Sequence, residues 1–305
     1  MEKSKRKNGS FNPGSNMTGA YVLIGLGVLF LLLNVLDFSW GQLWPLLLIG
    51  LGVFLLLGRE ASAAQTHYFN EPLDDATAAD IELNLSVGEA TISALSQSDQ
   101  LIDADLTYVG QVNFEVSGQQ QKHIRLRQTG DSALQWINPR NWFNHAPYAW
   151  RIGLSDQVPL SLNIQGGVGE AKIDLRRLQL TDLRLHGGVG EVDVRLPEAQ
   201  DGYAVDVHGG VGEIRMDLPP ATDLDVRIQG GLGEITLTTP ANSALRVEAS
   251  GGMGDVKVPS GLKRLREGGD FEMGTSGLWE SPDFADAAHQ IDIRYHGGMG
   301  ELKIR

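Results

Sequence analysis

Gly166-Gly-Val-Gly-Glu170, Gly187-Gly-Val-Gly-Glu191 and Gly209-Gly-Val-Gly-Glu213 are one phrase written three times. It returns as Gly230-Gly-Leu-Gly-Glu234, Gly251-Gly-Met-Gly-Asp255 and Gly297-Gly-Met-Gly-Glu301, and a worn copy, Ser86-Val-Gly-Glu89, stands far upstream. The acids at 170, 191, 213, 234 and 255 are 21, 22, 21 and 21 residues apart. The last step, from 255 to 301, is 46 residues, close to two periods with one rung degenerate or interrupted. A fixed period near 21 means stacked units, each unable to bury its own apolar face and each covering its neighbour. The product of such an architecture is a surface, which argues against an enzyme.

On both sides of the phrase, apolar and polar residues alternate. Leu183-Arg-Leu-His186 precedes one copy and Val192-Asp-Val-Arg-Leu196 follows it; Val205-Asp-Val-His208 and Ile214-Arg-Met-Asp-Leu218 repeat the pattern. Alternation over four to six residues, broken by Gly and Pro, marks half-buried strands. Pro197, Pro219-Pro220, Pro240 and Pro259 recur just after the second strand of a unit. The expected fold is all-β: a solenoid of 21-residue coils, with Val, Leu and Ile stacked inward and Arg, Asp and Glu outward. A tandem array of Gly-Gly hairpins rolled into an antiparallel sheet is the rival. Residues 80–128 alternate in the same way and start the same domain, 80–305. Residues 59–79 read as a linker. No stretch after residue 60 has helical periodicity.

The N-terminus has a different solvent. Met17–Leu36 carries no charge and is as long as the roughly 20 residues a helix needs to cross a bilayer. After the break Asp37–Gln42, Leu43–Gly58 is a second apolar run of 16 residues. The expectation is a two-helix membrane hairpin, 17–36 and 43–58, behind a basic tail, 1–16. Phe38, Trp40 and Trp44 lie at its turn, where an aromatic belt would sit. The rival is a signal peptide cleaved near Ala61-Ser-Ala-Ala64, against which the second run argues. Lys3, Lys5, Arg6 and Lys7 precede the first run, and Arg59 follows the second. The positive-inside rule then places the tail and the β domain in the cytoplasm. If 43–58 only skims the interface, the β domain lies outside.

Composition bounds the partners. The 305 residues carry a net charge of −13; the first seven contribute +3, so residues 8–305 carry −16. An acidic body is repelled by phosphate backbones, so nucleic acid is not an expected partner. There is no cysteine, which excludes disulfides, thiolate metal sites and cysteine nucleophiles. The bilayer is the expected partner of the N-terminus, and self-association is open to the stack.

Chemistry has few footholds. A dinucleotide loop needs a helix after its glycines, and none follows here. A calcium-binding nonapeptide needs Asp two places after the third Gly, where this chain has Ala171, Val192, Ile214, Ile235 and Val256. No catalytic, metal or cofactor site is expected. The acid column, Glu170, Glu191, Glu213, Glu234, Asp255 and Glu301, would stack about 4.8 Å apart. It reads as solvated turn residues, as a cation ladder or as a partner stripe, and Lys172, Arg215 and Lys257 stand two places on to relieve repulsion. Gln165, His186, His208, Gln229, Ser250 and His296 precede the glycine pairs, and His186 with His208 could bind metal, titrate, or simply be exposed polar residues. The segment 136–150 holds Trp136, Trp142, Phe143, Tyr148 and Trp150 and reads as a loop. These aromatics are either a docking surface or a cap on the open end of the core.

The runs Ile24-Gly-Leu-Gly-Val-Leu-Phe-Leu-Leu-Leu and Leu43-Trp-Pro-Leu-Leu-Leu-Ile-Gly-Leu-Gly-Val-Phe-Leu-Leu-Leu57 resemble the LiaI/LiaF-type transmembrane region of bacterial envelope-stress proteins. Asn163–Leu175 resembles the opening of the LiaF-type C-terminal domain, and the Gly-Gly-Val-Gly-Glu coils resemble the toastrack group of adhesin-like proteins. The resemblance covers about residues 17–60 and 80–305. It implies a multi-pass bacterial inner-membrane protein without assigned catalysis. Its implied role is sensing or modulating envelope stress, often beside a two-component histidine kinase.

Overall fold

The computed structural model describes residues 64–96, 99–129, 148–241, 243–267 and 276–305. The chain divides into two units, Met1–Glu60 and Ala61–Arg305. The basic tail and the apolar runs 17–36 and 43–58 lie outside the described residues.

Every copy of the phrase is a corner between two strands. In chain order the corner pairs begin with β2 (Ala78–Asn84) and β3 (Val87–Ala94), which flank the worn copy. They continue with β8 (Pro159–Gln165) and β9 (Val168–Asp174), β10 (Gln179–His186) and β11 (Val189–Arg195), and β12 (Tyr203–His208) and β13 (Val211–Asp217). Then come β14 (Leu224–Gln229) and β15 (Leu232–Thr238), β16 (Ala244–Ser250) and β17 (Met253–Lys257), and finally β20 (Gln290–His296) and β21 (Met299–Ile304). Among the described residues, the second strand of each pair joins a first sheet of ten strands, and the first strand joins a second sheet of eleven.

Rungs pair in parallel and in register: Gly190 faces Gly169 and Gly212, and Glu191 faces Glu170 and Glu213. This excludes the rolled antiparallel sheet. Alternation does the rest, since one side of every strand must leave water. Leu183, Leu185, Val192 and Val194 from one coil, and Val205, Val207, Ile214 and Met216 from the next, lie in one continuous buried core between the sheets. Many of the outward residues are charged, as with Asp193, Arg195, Arg215 and Asp217.

Antiparallel strands close both sheets at the N-terminal end and the second sheet at the other, where the first sheet ends on β17. At the N-terminal end β1 (Gln65–Pro72) pairs with β4 (Gln100–Tyr108), β4 pairs with β7 (Ala149–Leu154), and β5 (Gln111–Ser117) pairs with β6 (Gln121–Thr129). At the other end β19 (Gly277–Glu280) pairs antiparallel with both β16 and β18 (Lys263–Glu267). Residues 59–79 are therefore not all linker: they hold β1 and the start of β2. Lys122, almost fully buried, pins that segment, donating to Glu71 (2.7 Å), the Pro72 carbonyl (2.7 Å) and Asp74 (3.2 Å). Burial disfavours the ammonium, yet the hydrogen bonds to Glu71 and Asp74 outweigh it and hold its pKa above the ordinary value.

The coils are not stacked in chain order. In the second sheet β20 lies between β14 and β16, and in the first β21 lies between β15 and β17. The 46-residue step is thus an interruption, not a degenerate rung: Asp255 and Glu301 face each other on adjacent coils. At the other end β6 and β7 flank β2 and β3 in parallel, forming an outermost coil that comes later in the chain than the one it covers.

Candidate functional site

Three columns meet along the corner. The third glycine of every copy but Gly251–Asp255 has a positive φ, +136° at Gly190 and +133° at Gly212; in that copy the first two glycines carry it. A Cβ on Gly188, the second glycine, would lie 1.8 Å from the carbonyl oxygen of Gly167 on the next coil. Only glycine lets the backbones approach this closely. The phrase is therefore a packing device. The corner hydrogen bonds continue the ladder, with Gly187 N–H donating to the His208 carbonyl (2.7 Å) and Val189 N–H to that of Gly167 (2.9 Å).

The acid column is a true ladder, and Glu89 extends it to seven rungs, since it faces Glu170. The protein's own cations straddle it. Lys172 reaches Glu170 (2.7 Å) and Glu89 (4.0 Å), and Arg215 bonds both Glu191 and Glu213. Lys303, which the sequence reading did not single out, reaches Glu234 (3.1 Å) and Glu301 (4.0 Å), and Lys257 reaches Glu301 (2.6 Å). Hydrogen bonds from Lys303 and then Thr236 hold the Glu234 carboxyl below its usual range. Those to Glu170 and Glu301 raise Lys172 and Lys257. Side chains thus occupy the gaps a cation ladder would need. Among the described residues no group of three or more His, Asp or Glu is placed to hold a metal.

On the other side of the glycines, His186 and His208 stack with ring centroids 4.6 Å apart and planes 9° from parallel. Imidazole lone pairs lie in the ring plane, so parallel stacked rings cannot converge on one ion. Burial first, then the charges of His208 and Arg184, hold His186 below its ordinary pKa. His296 lies against Ser250, 3.3 Å from its hydroxyl.

Of the aromatic segment, Trp136, Trp142 and Phe143 lie outside the described residues. Tyr148 is half-buried, and its carbonyl accepts from Glu89 N–H (2.9 Å). Trp150 is 2% exposed and belongs to the core beside Leu106 and Ala90, so it is not part of an exposed docking surface. The segment 130–147, which follows β6 and precedes β7 in the chain, lies outside the described residues.

The column missed in the sequence is the variable residue of the phrase. Val87, Val168, Val189, Val211, Leu232, Met299 and Met253 face one another rung to rung. All are 41 to 51% exposed, whereas Ala90, Ala171, Val192, Ile214, Ile235 and Leu302, three places on in six of these strands, are buried. Its signal was available: a turn position filled only by Val, Leu and Met.

No curated protein matches the chain. A solved structure from Clostridium sporogenes, of a protein provisionally named as a cell adhesion protein, is 20% identical with a TM-score of 0.53, covering 79% of this chain and 99% of that one. Another, from Bacteroides fragilis and provisionally named an adhesin, is 10% identical with a TM-score of 0.32, covering 79% and 98%. The first of these likenesses shows the fold. Residues 17–56 match the LiaI-LiaF-like transmembrane region, which makes the N-terminus the membrane-associated part of the chain. Residues 59–217, more than half of the chain, match the N-terminal domain of toast_rack. The chain belongs to the toast_rack family.

Proposed function

We propose that this is a non-enzymatic, membrane-anchored binding or scaffold protein that senses or modulates envelope stress through protein–protein contacts. One observation carries the reading: the outer face beside the corner repeats the same apolar–acid–polar order on seven successive rungs. Repetition of this kind presents an extended, rigid stripe to a macromolecule. The acid ladder is the part that selects, because its seven carboxylates are met by four cations and the stripe keeps a negative excess. A basic segment of a membrane signalling protein fits it, and the resemblance to envelope-stress proteins points to a histidine kinase. The β domain then lies in the cytoplasm, with both apolar runs crossing the bilayer.

Two measurements test this. A photo-crosslinking residue at Asp193, beside the acid ladder, should yield an adduct with a membrane protein in cells treated with a wall-active antibiotic, whereas one at Ser161 on the opposite face should not. Absence of any adduct at Asp193 refutes the docking role. Gln200→Cys, at an exposed turn of a chain with no other cysteine, should resist a membrane-impermeant thiol reagent in spheroplasts. Labelling would put the domain outside and favour a surface-displayed adhesin.

A further inference from the structure

The apolar ladder is not needed by the fold. Seven side chains with the chemistry of a core sit half in water at one point of every rung, six intervals of about 4.8 Å, a strip about 29 Å long. Contiguous apolar surface on this scale marks an interaction site rather than scattered exposure. The geometry points to a second copy of this chain as its occupant: two corner ladders pack against each other across a two-fold axis that runs along the stack.

Three features select this partner and this direction. A ladder of fixed rung spacing is matched along its whole length by a ladder of the same spacing, and another copy supplies one, as in the interdigitated side-chain interfaces of stacked sheets. Next come the charges that flank the strip. On one side lies the acid ladder, and on the other the glycine corner followed by the largely neutral column Gln165, His186, His208 and Gln229. A two-fold across the stack would lay acid ladder on acid ladder, which like-charge repulsion opposes. Turning the partner about the stack axis instead sets each acid ladder over the other copy's glycine corner, at the wet rim. Finally, the glycine corner has no side chains, so nothing on that side of the strip holds the second copy away. Such a contact is isologous, residue meeting its own counterpart, as closed dimers require. It rests on reading the corner face as a binding surface, and it leaves both acid ladders at the rims for a heterologous partner.

The cysteine-free chain allows a direct test on the full-length protein in detergent micelles. Val168→Cys, Val211→Cys and Met299→Cys, oxidised separately, should each give a disulfide-linked dimer, and Ser161→Cys should give none. Linkage at Val211 alone, the middle rung, would mean a two-fold across the stack and overturn the parallel arrangement. No linkage at any ladder position overturns self-association. Light scattering gives the independent arm: the wild-type protein should have the mass of a dimer, and Val168→Thr/Val189→Thr/Val211→Thr should weaken the dimer at least tenfold with an unchanged far-UV circular dichroism spectrum. A wild-type monomer refutes the inference. A heterologous adduct at Asp193 without homodimer overturns only the second copy, and a homodimer without that adduct overturns only the docking role proposed above.

Discussion

At the scale of single residues, the glycines and the histidines make opposite kinds of demand. Gly188 abuts a backbone carbonyl, not the flexible end of a side chain, so an added methyl group must move a whole coil. Gly188→Ala should therefore cost about 3 kcal/mol, the upper range for overpacking, measured by urea unfolding of the β domain. Substitution of the neighbouring Val189 by Thr should cost the fold of its own protomer far less, since that side chain is half exposed there. His186 has a demand that depends on pH. Its folded-state pKa lies below the usual 6.5, so the unfolded chain binds its proton more readily than the native one. Stability is then full above about pH 6.5 and falls as pH drops from there towards the folded value. His186→Gln, which installs the residue the column already uses at 165 and 229, should flatten that fall in melting temperature between pH 7.5 and 5.5. An unchanged profile would mean that His186 is not the titrating group. The functional reading of the histidines was legible in sequence only as a column; ring stacking, which excludes shared metal binding, required the register.

Strands were legible because their chemistry is strictly periodic. Leu183, Leu185, Val192 and Val194 are buried where alternation places them, and the corner between them falls at the glycines. The acid ladder was legible for the same reason, but its cations were only partly so. Lys172 and Lys257 lie two residues beyond the acids they meet or their neighbours, while Lys303 serves Glu234 from a coil 69 residues away in sequence. Lys172, Arg215 and Lys303 each span two rungs, so removing one exposes two carboxylates to each other. Arg215→Gln should lower the melting temperature, more at 20 mM salt than at 500 mM, because screening substitutes for the missing guanidinium. Equal losses at both salt concentrations would show that Arg215 acts through packing alone. The apolar ladder escaped the sequence reading because its residue stands inside a turn phrase, where the glycines draw attention and the variable position looks like filler. Trp150 escaped for a related reason: it sits at the end of an irregular, aromatic-rich stretch, yet it is the second residue of β7 and points inward.

For the whole molecule, the sequence could not reveal the order of the coils. Every rung carries the same inward Val, Leu and Ile and the same corner, so any rung fits any other and local pattern holds no information about neighbours. The order is set instead by what closes the ends, such as the hairpin of β18 and β19 that covers β16. Stopping the chain after Ala287 would remove β20 and β21, an internal coil, and leave β14–β15 and β16–β17 with no common partner. That truncation should abolish the cooperative unfolding of everything beyond residue 223, read by hydrogen exchange, while the coils at 159–217 keep their protection. Retention of slow exchange in β16 would show that the C-terminal coil is dispensable. The displaced coils at both ends also bear on how such a protein can change length over evolution. An ordinary repeat array grows or shrinks by adding or losing units at its tips. Here both tips are clasped, each outermost coil being held by a neighbour from elsewhere in the chain, so duplication is tolerated only among the coils between 159 and 238. The length of the displayed stripe can be tuned from the middle, while the ends and whatever they attach to stay the same.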